Sequence, residues 1–218
     1  MATHSFMSPD DMKSARRLLL WARKYLIKEH ESINRPYPPQ AVCPFAEASI
    51  RANCLYMVFH HDFDGRCPAA IADQILEYIG PFKQAPPLAP HEQTLKALLI
   101  VFPNIEEEFL NVLDVCHEMI KPKMVDSGLM VGQFHSKCKE RGIHNPAWNA
   151  ISRSPVPLMA IRHMVIHDIM FLEDNEGWFR AYDANFGTRF AERGKCLSPY
   201  QKHLFACYER AKAKHGGR

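Results

Sequence analysis

Residues 128–135 (GLMVGQFH) and 156–166 (VPLMAIRHMVI) are the part of the chain that decides the fold. Both runs are apolar and short, and the second is rich in β-branched side chains, a combination typical of buried strands. The segment between them is polar and contains Gly142, Asn145 and Pro146, which favour a loop. Because two strands that follow one another usually pair, we expect them to be antiparallel neighbours in one sheet.

The segments outside these two runs alternate between helices and strands. Ser8-Pro9-Asp10-Asp11 predicts a helix start, with a capping Ser, an early Pro and two acids on the helix dipole, and this helix extends to about residue 31. Three prolines make 34–39 extended. Further helices are predicted over 68–79, 105–120, 178–190 and 200–214, a helical turn over 167–172, and further strands over 54–61 and 96–102.

The order of elements favours an α+β fold, a two-layer domain with a mostly antiparallel sheet flanked by helices. With 218 residues, of which 47% are hydrophobic and 23% charged, the composition is that of one globular domain. We therefore expect a single domain over 1–218, with an N-terminal helix in 1–35, a core in 40–172, and C-terminal helices with a basic tail in 173–218.

Composition and charge also limit the location and the partners. Apolar runs stay far below the roughly 20 residues that span a bilayer, and the N-terminus has acids where a secretory signal would be apolar. We expect a cytoplasmic protein without a membrane partner. The net charge is +3, and from Arg189 onward eight Lys/Arg face two Asp/Glu. These charges are spaced along an amphipathic helix, which favours a solvated surface over a nucleic-acid arm.

Several site classes lack their signatures in this sequence. The seven cysteines contain no CxxC pair and are odd in number, which argues against a disulfide framework and a paired-cysteine zinc site, so we expect most to be reduced, buried thiols. No GxxxxGK[ST], GxGxxG or GxSxG motif is present. Twelve histidines are about twice the ordinary usage, and imidazole is the commonest metal ligand. The sequence therefore favours a metal or haem site.

One candidate for such a site is the run 60–65 (HHDFDG), which follows a predicted strand. His60, His61, Asp62 and Asp64 gather two imidazoles and two carboxylates, a mixture that suits Mn²⁺ or Mg²⁺. The run resembles the first motif of DHH-type phosphoesterases, although the downstream DHH triplet is missing. The alternative interpretation is a polar turn in which an Asp side chain bonds the backbone.

Histidines on the two central strands are the other candidates. His163 and His167 are four residues apart, which on a strand separates them by about 13 Å, so a single metal ion cannot bridge them. His135 ends the first strand after Gly132, and a glycine inside a strand often marks close approach by a ligand.

Together these residues resemble the YqcI/YcgG family. The run 130–135 (MVGQFH), a polar loop, the run 153–163 (RSPVPLMAIRH) and the following His167-Asp168 resemble its C-terminal half, and Cys43-Pro44-Phe45-Ala46 followed by Arg51 resembles its N-terminal motif. The chain is more closely similar to an uncharacterised domain family with the run SPVPLxAIRHM. The resemblance covers about residues 40–172.

The resemblance implies a small haem protein that N-hydroxylates an amine or guanidine group of an amino-acid-like metabolite. It implies haem b with His135 as the axial ligand and His163 as a distal donor or proton shuttle. Arg51, Arg153 and Arg162 would pair with the propionates, and Cys43 would contact the cofactor.

Two other functions stay open beside this one. They are a metal-dependent phosphoesterase that uses the HHDFDG run and a haem-binding or ligand-binding module without catalysis. The partner that we expect is a small-molecule substrate, and the sequence leaves open whether the chain forms a homodimer.

Overall fold

The computed structural model of the chain describes residues 7–30, 40–143, 145–191 and 198–216. Its helices are α1 (Pro9–Trp21), α2 (Ala46–Arg51), α3 (Pro68–Glu77), α4 (Ile79–Gln84), α5 (Val112–Asp126), α6 (Ile169–Leu172), α7 (Glu176–Ala191) and α8 (Pro199–His215). Its strands are β1 (Glu29–His30), β2 (Gln40–Ala41), β3 (Leu55–Phe59), β4 (Ala97–Val101), β5 (Leu129–Phe134) and β6 (Leu158–His163).

Four strands form the central sheet in the order β3-β4-β6-β5. β3 and β4 are parallel, whereas β6 pairs antiparallel with both β4 and β5. β5 and β6 are the two strands predicted from 128–166, and they pair with Gly132 opposite Ala160. Helices flank this mixed, mostly antiparallel sheet, which confirms the predicted α+β fold.

Alternation along β5 and β6 divides the core between the two faces of the sheet. Leu129, Val131, Met159 and Ile161 pack with α3, α4 and α5 in the largest apolar cluster. Leu158 and its neighbours on the opposite face pack against α1. Met130 joins a third cluster, which α6, α7 and α8 build around the end of the sheet. In the described part of the chain, no helix is long and apolar enough to cross a membrane.

The predicted helix start at Ser8 is confirmed, since its Oγ accepts a hydrogen bond from the Asp11 amide at 3.1 Å. The helix is shorter than predicted because α1 passes into a π-turn over Ala22–Leu26 and the chain then pairs as β1. Residues 34–39, predicted to be extended, lie outside the described residues.

The helix predicted over 105–120 begins later and ends later. A 3-10 turn over Glu107–Phe109 precedes α5, which continues past Pro122 to Asp126. Pro122 lacks an amide proton, so the Glu118 carbonyl loses its helical partner. Both residues are exposed, and water can take the place of that partner.

Candidate metal centre

A tight reversal between α5 and β5 sets the geometry of the site. The Gly128 amide donates to the Val125 carbonyl at 2.9 Å, and Gly128 has a φ of +72°, a left-handed conformation that costs glycine little. The chain turns back at this point, and β5 then packs along α5. As a result, the first turn of α5 meets the last residues of β5.

The side chains of β5 that face α5 change from apolar to polar at this end. Leu129 and Val131 belong to the core, Gln133 is the next residue on the same face, and His135 follows immediately after the strand. Asp114 lies opposite them in the first turn of α5, where the helix dipole favours a carboxylate. At this end of the apolar core, the imidazole of His135 and the amide of Gln133 therefore lie beside the carboxylate of Asp114.

These three side chains are in direct contact. His135 Nε2 lies 3.2 Å from Asp114 Oδ1 and 3.1 Å from Oδ2, and Gln133 Nε2 donates to Oδ1 at 3.3 Å. The side chain of Asp114 is 41% exposed, whereas that of His135 is 2% exposed. The carboxylate therefore forms the boundary between the buried imidazole and solvent.

Cys138 completes the cluster from the turn after β5. Its amide donates to the His135 carbonyl at 3.1 Å, and its Sγ lies 4.0 Å from Asp114 Oδ1. One potential ligand atom each from Asp114, His135 and Cys138 lie within 4.8 Å of one another. Burial raises the pKa of the thiol to about 11, and the nearby carboxylates of Asp114 and Glu140 act in the same direction.

The second ring nitrogen of His135 has no partner. Nδ1 is buried and makes no hydrogen bond to any described residue. A buried polar atom without a partner costs about 1–3 kcal/mol, and such atoms are rare in folded proteins. Only a group that reaches Nδ1 itself would remove that cost, since the contacts with Asp114 are made by Nε2.

The cluster lies at a cleft with a volume of about 930 Å³. One face of α5 supplies a wall, because Asp114, His117, Glu118 and Lys121 recur at helical spacing and all line the cleft. The segment after β5 and Trp178 of α7 supply the rest. Five carboxylates and four cationic side chains line this space, so the cleft is rich in charged groups.

Two basic residues of this wall are affected by burial. Burial, followed by the charge of Lys121, lowers the pKa of His117 to about 4, against a hydrogen bond with the Val131 backbone. His117 is therefore neutral at physiological pH. Burial also lowers the pKa of Lys121, whose Nζ lies 4.1 Å from the centre of the Trp178 ring.

The donor set suits a metal ion better than a free cysteine nucleophile. A nucleophilic Cys needs an imidazole partner and a low pKa. Here the Sγ contact is with Asp114, and the high pKa of Cys138 keeps the thiol protonated. Carboxylate, imidazole and thiolate are together the ligand types of zinc sites, and a bound metal deprotonates the thiol.

The surroundings of His135 do not form a haem pocket. A haem needs apolar walls on both faces of a flat ring, but Leu110 and Trp178 are the large apolar side chains among the cleft residues, beside nine charged ones. The imidazole is enclosed and already contacts Asp114 through Nε2. The haem function that the resemblance implies stays a prediction, and the geometry favours a single ion.

His163 lies far from His135. The expectation that these two histidines act on the same haem iron is therefore wrong. The register places His163 opposite Leu129 at one end of the hairpin and Phe134 opposite Leu158 at the other. Six residues of strand separate the two positions by about 20 Å. His163 packs against Phe82 at a ring distance of 5.3 Å, and burial followed by the charges of Lys96 and Lys83 lowers its pKa to about 4.

The three arginines expected at propionates lie in three places. Arg162 forms a bidentate pair with Asp168 at 2.6 and 2.8 Å, so its guanidinium is already neutralised. Arg51 pairs with Glu47 on the exposed surface of α2. Arg153 alone lies near the cluster, where its Nε is 3.5 Å from the Cys138 carbonyl oxygen.

Cys43 lies near Arg162 rather than near His135. It is partly buried, and its amide donates to the Leu26 carbonyl at 3.0 Å. Its thiol is close enough to Arg162 to raise the pKa of the guanidinium, after the larger effect of Asp168. Cys43 therefore belongs to the opposite end of the sheet from the candidate site.

The HHDFDG run does not gather its side chains. His60 Nε2 lies 2.9 Å from the Tyr78 hydroxyl, and His61 Nε2 lies 2.7 Å from Asp11 Oδ1. Asp64 accepts a hydrogen bond from the Arg66 amide at 2.9 Å, which is the polar turn of the alternative interpretation. The metal site that the phosphoesterase alternative needs is thus not assembled here, since His60, His61 and Asp64 have separate partners.

Sequence reasoning identified His135 and missed Asp114 and Cys138. Cys138 is one of seven cysteines, most of which we expect to be reduced, buried thiols, and Asp114 is one acid within the helix predicted over 105–120. The available signals were the His-x-x-Cys spacing of 135–138 and an acid in the first turn of the helix that leads back to the strand. Neither signal by itself indicates a metal site, because only the reversal at Gly128 places Asp114 beside His135 and Cys138.

Comparison with known proteins assigns the chain to a family whose description names no activity. A family model described as a domain of unknown function, DUF6875, matches residues 15–196. No curated protein and no solved structure matches the chain. These findings leave the resemblance to the YqcI/YcgG family untested.

Proposed function

Because the chain belongs to the DUF6875 family, which is described only as a domain of unknown function, we propose its function from the site. We propose that it is a zinc-dependent hydrolase that acts on a small polar molecule in the cleft. Asp114, His135 and Cys138 hold the ion, and a metal-bound water is the nucleophile.

The observation that supports this proposal is the convergence of three different ligand atoms within 4.8 Å of one another, two of them on residues, Asp114 and His135, that line a cleft. They come from the start of a helix, the end of a strand and the following turn, all of which are fixed by the core. Catalytic zinc sites typically have three protein ligands and keep a fourth position for water. The thiolate favours zinc over magnesium or calcium, which prefer oxygen ligands.

The cleft also supplies a base for the bound water. Glu118 is one helical turn beyond Asp114 on the same face of α5, about 6 Å further along the helix axis. It is exposed to the cleft. A zinc ion lowers the pKa of its water to near 7, and a carboxylate at this position can accept the proton as the water attacks.

Metal titration of the purified, metal-free protein tests the proposal. We expect one zinc ion per chain by calorimetry, and binding weakened at least about tenfold in Asp114→Asn and Cys138→Ser. The matched controls are Asp126→Asn, at the far end of the same helix, and Cys67→Ser, an exposed cysteine. Both controls should bind zinc as the parent does.

Cobalt replacement identifies the ligands directly. Co²⁺ bound to the parent should show thiolate-to-cobalt charge-transfer absorption that is lost in Cys138→Ser and kept in Cys67→Ser. Circular dichroism of each variant establishes that it is folded. A protein that binds no zinc, or binds it equally in all variants, contradicts the proposal, and a Soret band in the purified protein would favour haem instead.

A further inference from the structure

We infer that the cleft has a second subsite, at Lys121 and Trp178, which binds the carboxylate or phosphate group of a small organic anion. This inference rests on the proposed zinc site, because it names the class of molecule that the site would act on. The subsite itself consists of residues that are not metal ligands.

The position of Lys121 is the first argument. Lys121 is seven residues beyond Asp114 on the cleft face of α5, which is about 10 Å along the helix axis. A molecule that reaches from the metal centre to this ammonium is a small metabolite, since both groups lie in one cleft of about 930 Å³.

The state of Lys121 is the second argument. Two of the other three cations that line the cleft are engaged by described residues, since Lys137 pairs with Glu107 at 3.2 Å and Arg141 donates to the carbonyls of Pro146 and Trp148. Lys121 makes no salt bridge in the described chain and is half-buried over the Trp178 ring. Glu140 is close enough to raise the pKa of Lys121 against the larger effect of burial, but it makes no direct ion pair with the ammonium. A half-buried ammonium without a direct ion pair can bind an anion, because its charge is less screened than at the surface.

Trp178 and His117 complete the subsite. The indole of Trp178 is half-buried and offers an apolar surface for the hydrocarbon part of a ligand. His117 lies between Asp114 and Lys121 on the same wall and is neutral at physiological pH, so it adds a polar group without adding charge. Along α5 the metal centre is thus followed by a neutral imidazole and then by a cation. This order suits a ligand with a polar reactive end at the metal and an anionic end at Lys121.

A pair of hydroxamate probes tests the two ends together. Suberic monohydroxamate carries a zinc-binding hydroxamate and a terminal carboxylate, and its methyl ester lacks the charge. We expect the acid to bind the zinc-loaded protein about tenfold more tightly than the ester, since one hydrogen bond to a charged group has about that effect. The difference should disappear in Lys121→Met and persist in Lys123→Met, an exposed lysine on the same helix.

A second probe separates this inference from the proposed function. Hexanoate carries a carboxylate and no zinc-binding group, so its binding to metal-free protein reports the subsite alone. In a Trp21→Phe/Trp148→Phe background, hexanoate should change the fluorescence of Trp178, and Lys121→Met should abolish this change.

The outcomes point to different failures. Equal affinity of the acid and ester in the parent, or hexanoate binding that survives in Lys121→Met, overturns the anion subsite even if zinc binds. Loss of zinc binding with hexanoate binding intact overturns the hydrolase and leaves the subsite in place. Zinc affinity that falls in Lys121→Met would mean that Lys121 acts on the metal centre and would also contradict the subsite.

Discussion

The two ends of the β5–β6 hairpin each hold a buried histidine, and the two imidazoles have opposite surroundings. His135 and His163 both have one ring nitrogen that is buried and finds no hydrogen-bond partner among the residues that the structure describes. Around His135 the nearest groups are the Asp114 carboxylate and the Cys138 thiol. Around His163 they are the Phe82 ring and the charges of Lys96 and Lys83.

This difference shows that the neighbours of a buried imidazole, more than its own burial, decide what it can bind. Anionic and soft donors near His135 attract a metal ion, whereas an ammonium near His163 repels one. Lys96 itself is fully buried and donates to the carbonyls of Phe82, Lys83 and Ala85 at 2.8–3.2 Å. It closes the end of α4, so the His163 end of the hairpin is a structural region.

The largest expected difference between the two ends is in metal affinity. His135→Ala should weaken zinc binding by roughly 100- to 1,000-fold, because it removes a ligand, which is a larger loss than the 10- to 100-fold of an outer partner. His163→Ala should leave zinc binding within about threefold. Calorimetric titration of both variants measures this, and equal losses would remove the distinction between the two ends.

The stability of the fold should depend more on the His163 end of the hairpin than metal binding does. Lys96→Met leaves three carbonyls without their donor and should lower the free energy of unfolding by about 3 kcal/mol. Urea denaturation measures the loss, with the exposed neighbour Lys83→Met as the control. Zinc affinity of the folded Lys96→Met protein should match the parent, and a matching loss of zinc binding would mean that the two ends are coupled.

Acid should destabilise the protein partly through His163. Its pKa is about 4 in the folded protein and about 6.5 when unfolded, so the unfolded chain takes up the proton first as the pH falls. The contribution of His163 to stability is therefore constant above about pH 6.5 and decreases towards pH 4, by about 2 kcal/mol after allowance for partial exposure.

His163→Phe should remove that part of the acid loss and leave the part due to His117, whose pKa is also about 4. Denaturation curves at several pH values in the presence of a chelator measure both parts. The same pH dependence in the variant and the parent would show that His163 is not the group responsible.

The smallest effect is expected at the HHDFDG run. His61→Ala removes a partly exposed pair with Asp11, so the free energy of unfolding should change by less than about 1 kcal/mol. Zinc binding should be unchanged in this variant and in Asp64→Asn. A clear loss of metal binding in either variant would restore this run as a metal site.

Much of the fold could be predicted because it depends on local pattern. The strands of 128–166 and their pairing follow from two adjacent apolar runs with a polar loop between them. The order of the strands in the sheet was harder to predict, because the parallel pairing of β3 with β4 joins residues about 40 positions apart, such as Leu55 and Ala97. The C-terminal ends of α1 and α5 differ from the prediction, because α1 passes into a π-turn and α5 continues past Pro122 to Asp126.

The candidate site could be predicted only in part, because its members meet through tertiary structure. His135 was recognised by its place at a strand end. Its contact with Asp114 depends on the packing of α5 against β5, which the sequence alone does not give. The separation of His135 from His163 follows from the register of the hairpin. The family resemblance implies a cofactor contact for Arg162, and its pairing with Asp168, six residues later, could not be foreseen because it depends on the turn after β6.

The reversal at Gly128 has a consequence for how this protein can vary. Asp114, His135 and Cys138 fall within 25 consecutive residues, so one uninterrupted piece of chain carries all three metal-binding side chains. Surface loops accept insertions at small entropic expense, since the free energy of closing a loop rises only slowly with its length. Chains that differ from this one in the 60–67 or 85–92 loops can therefore keep the same metal geometry while presenting different surfaces to their surroundings.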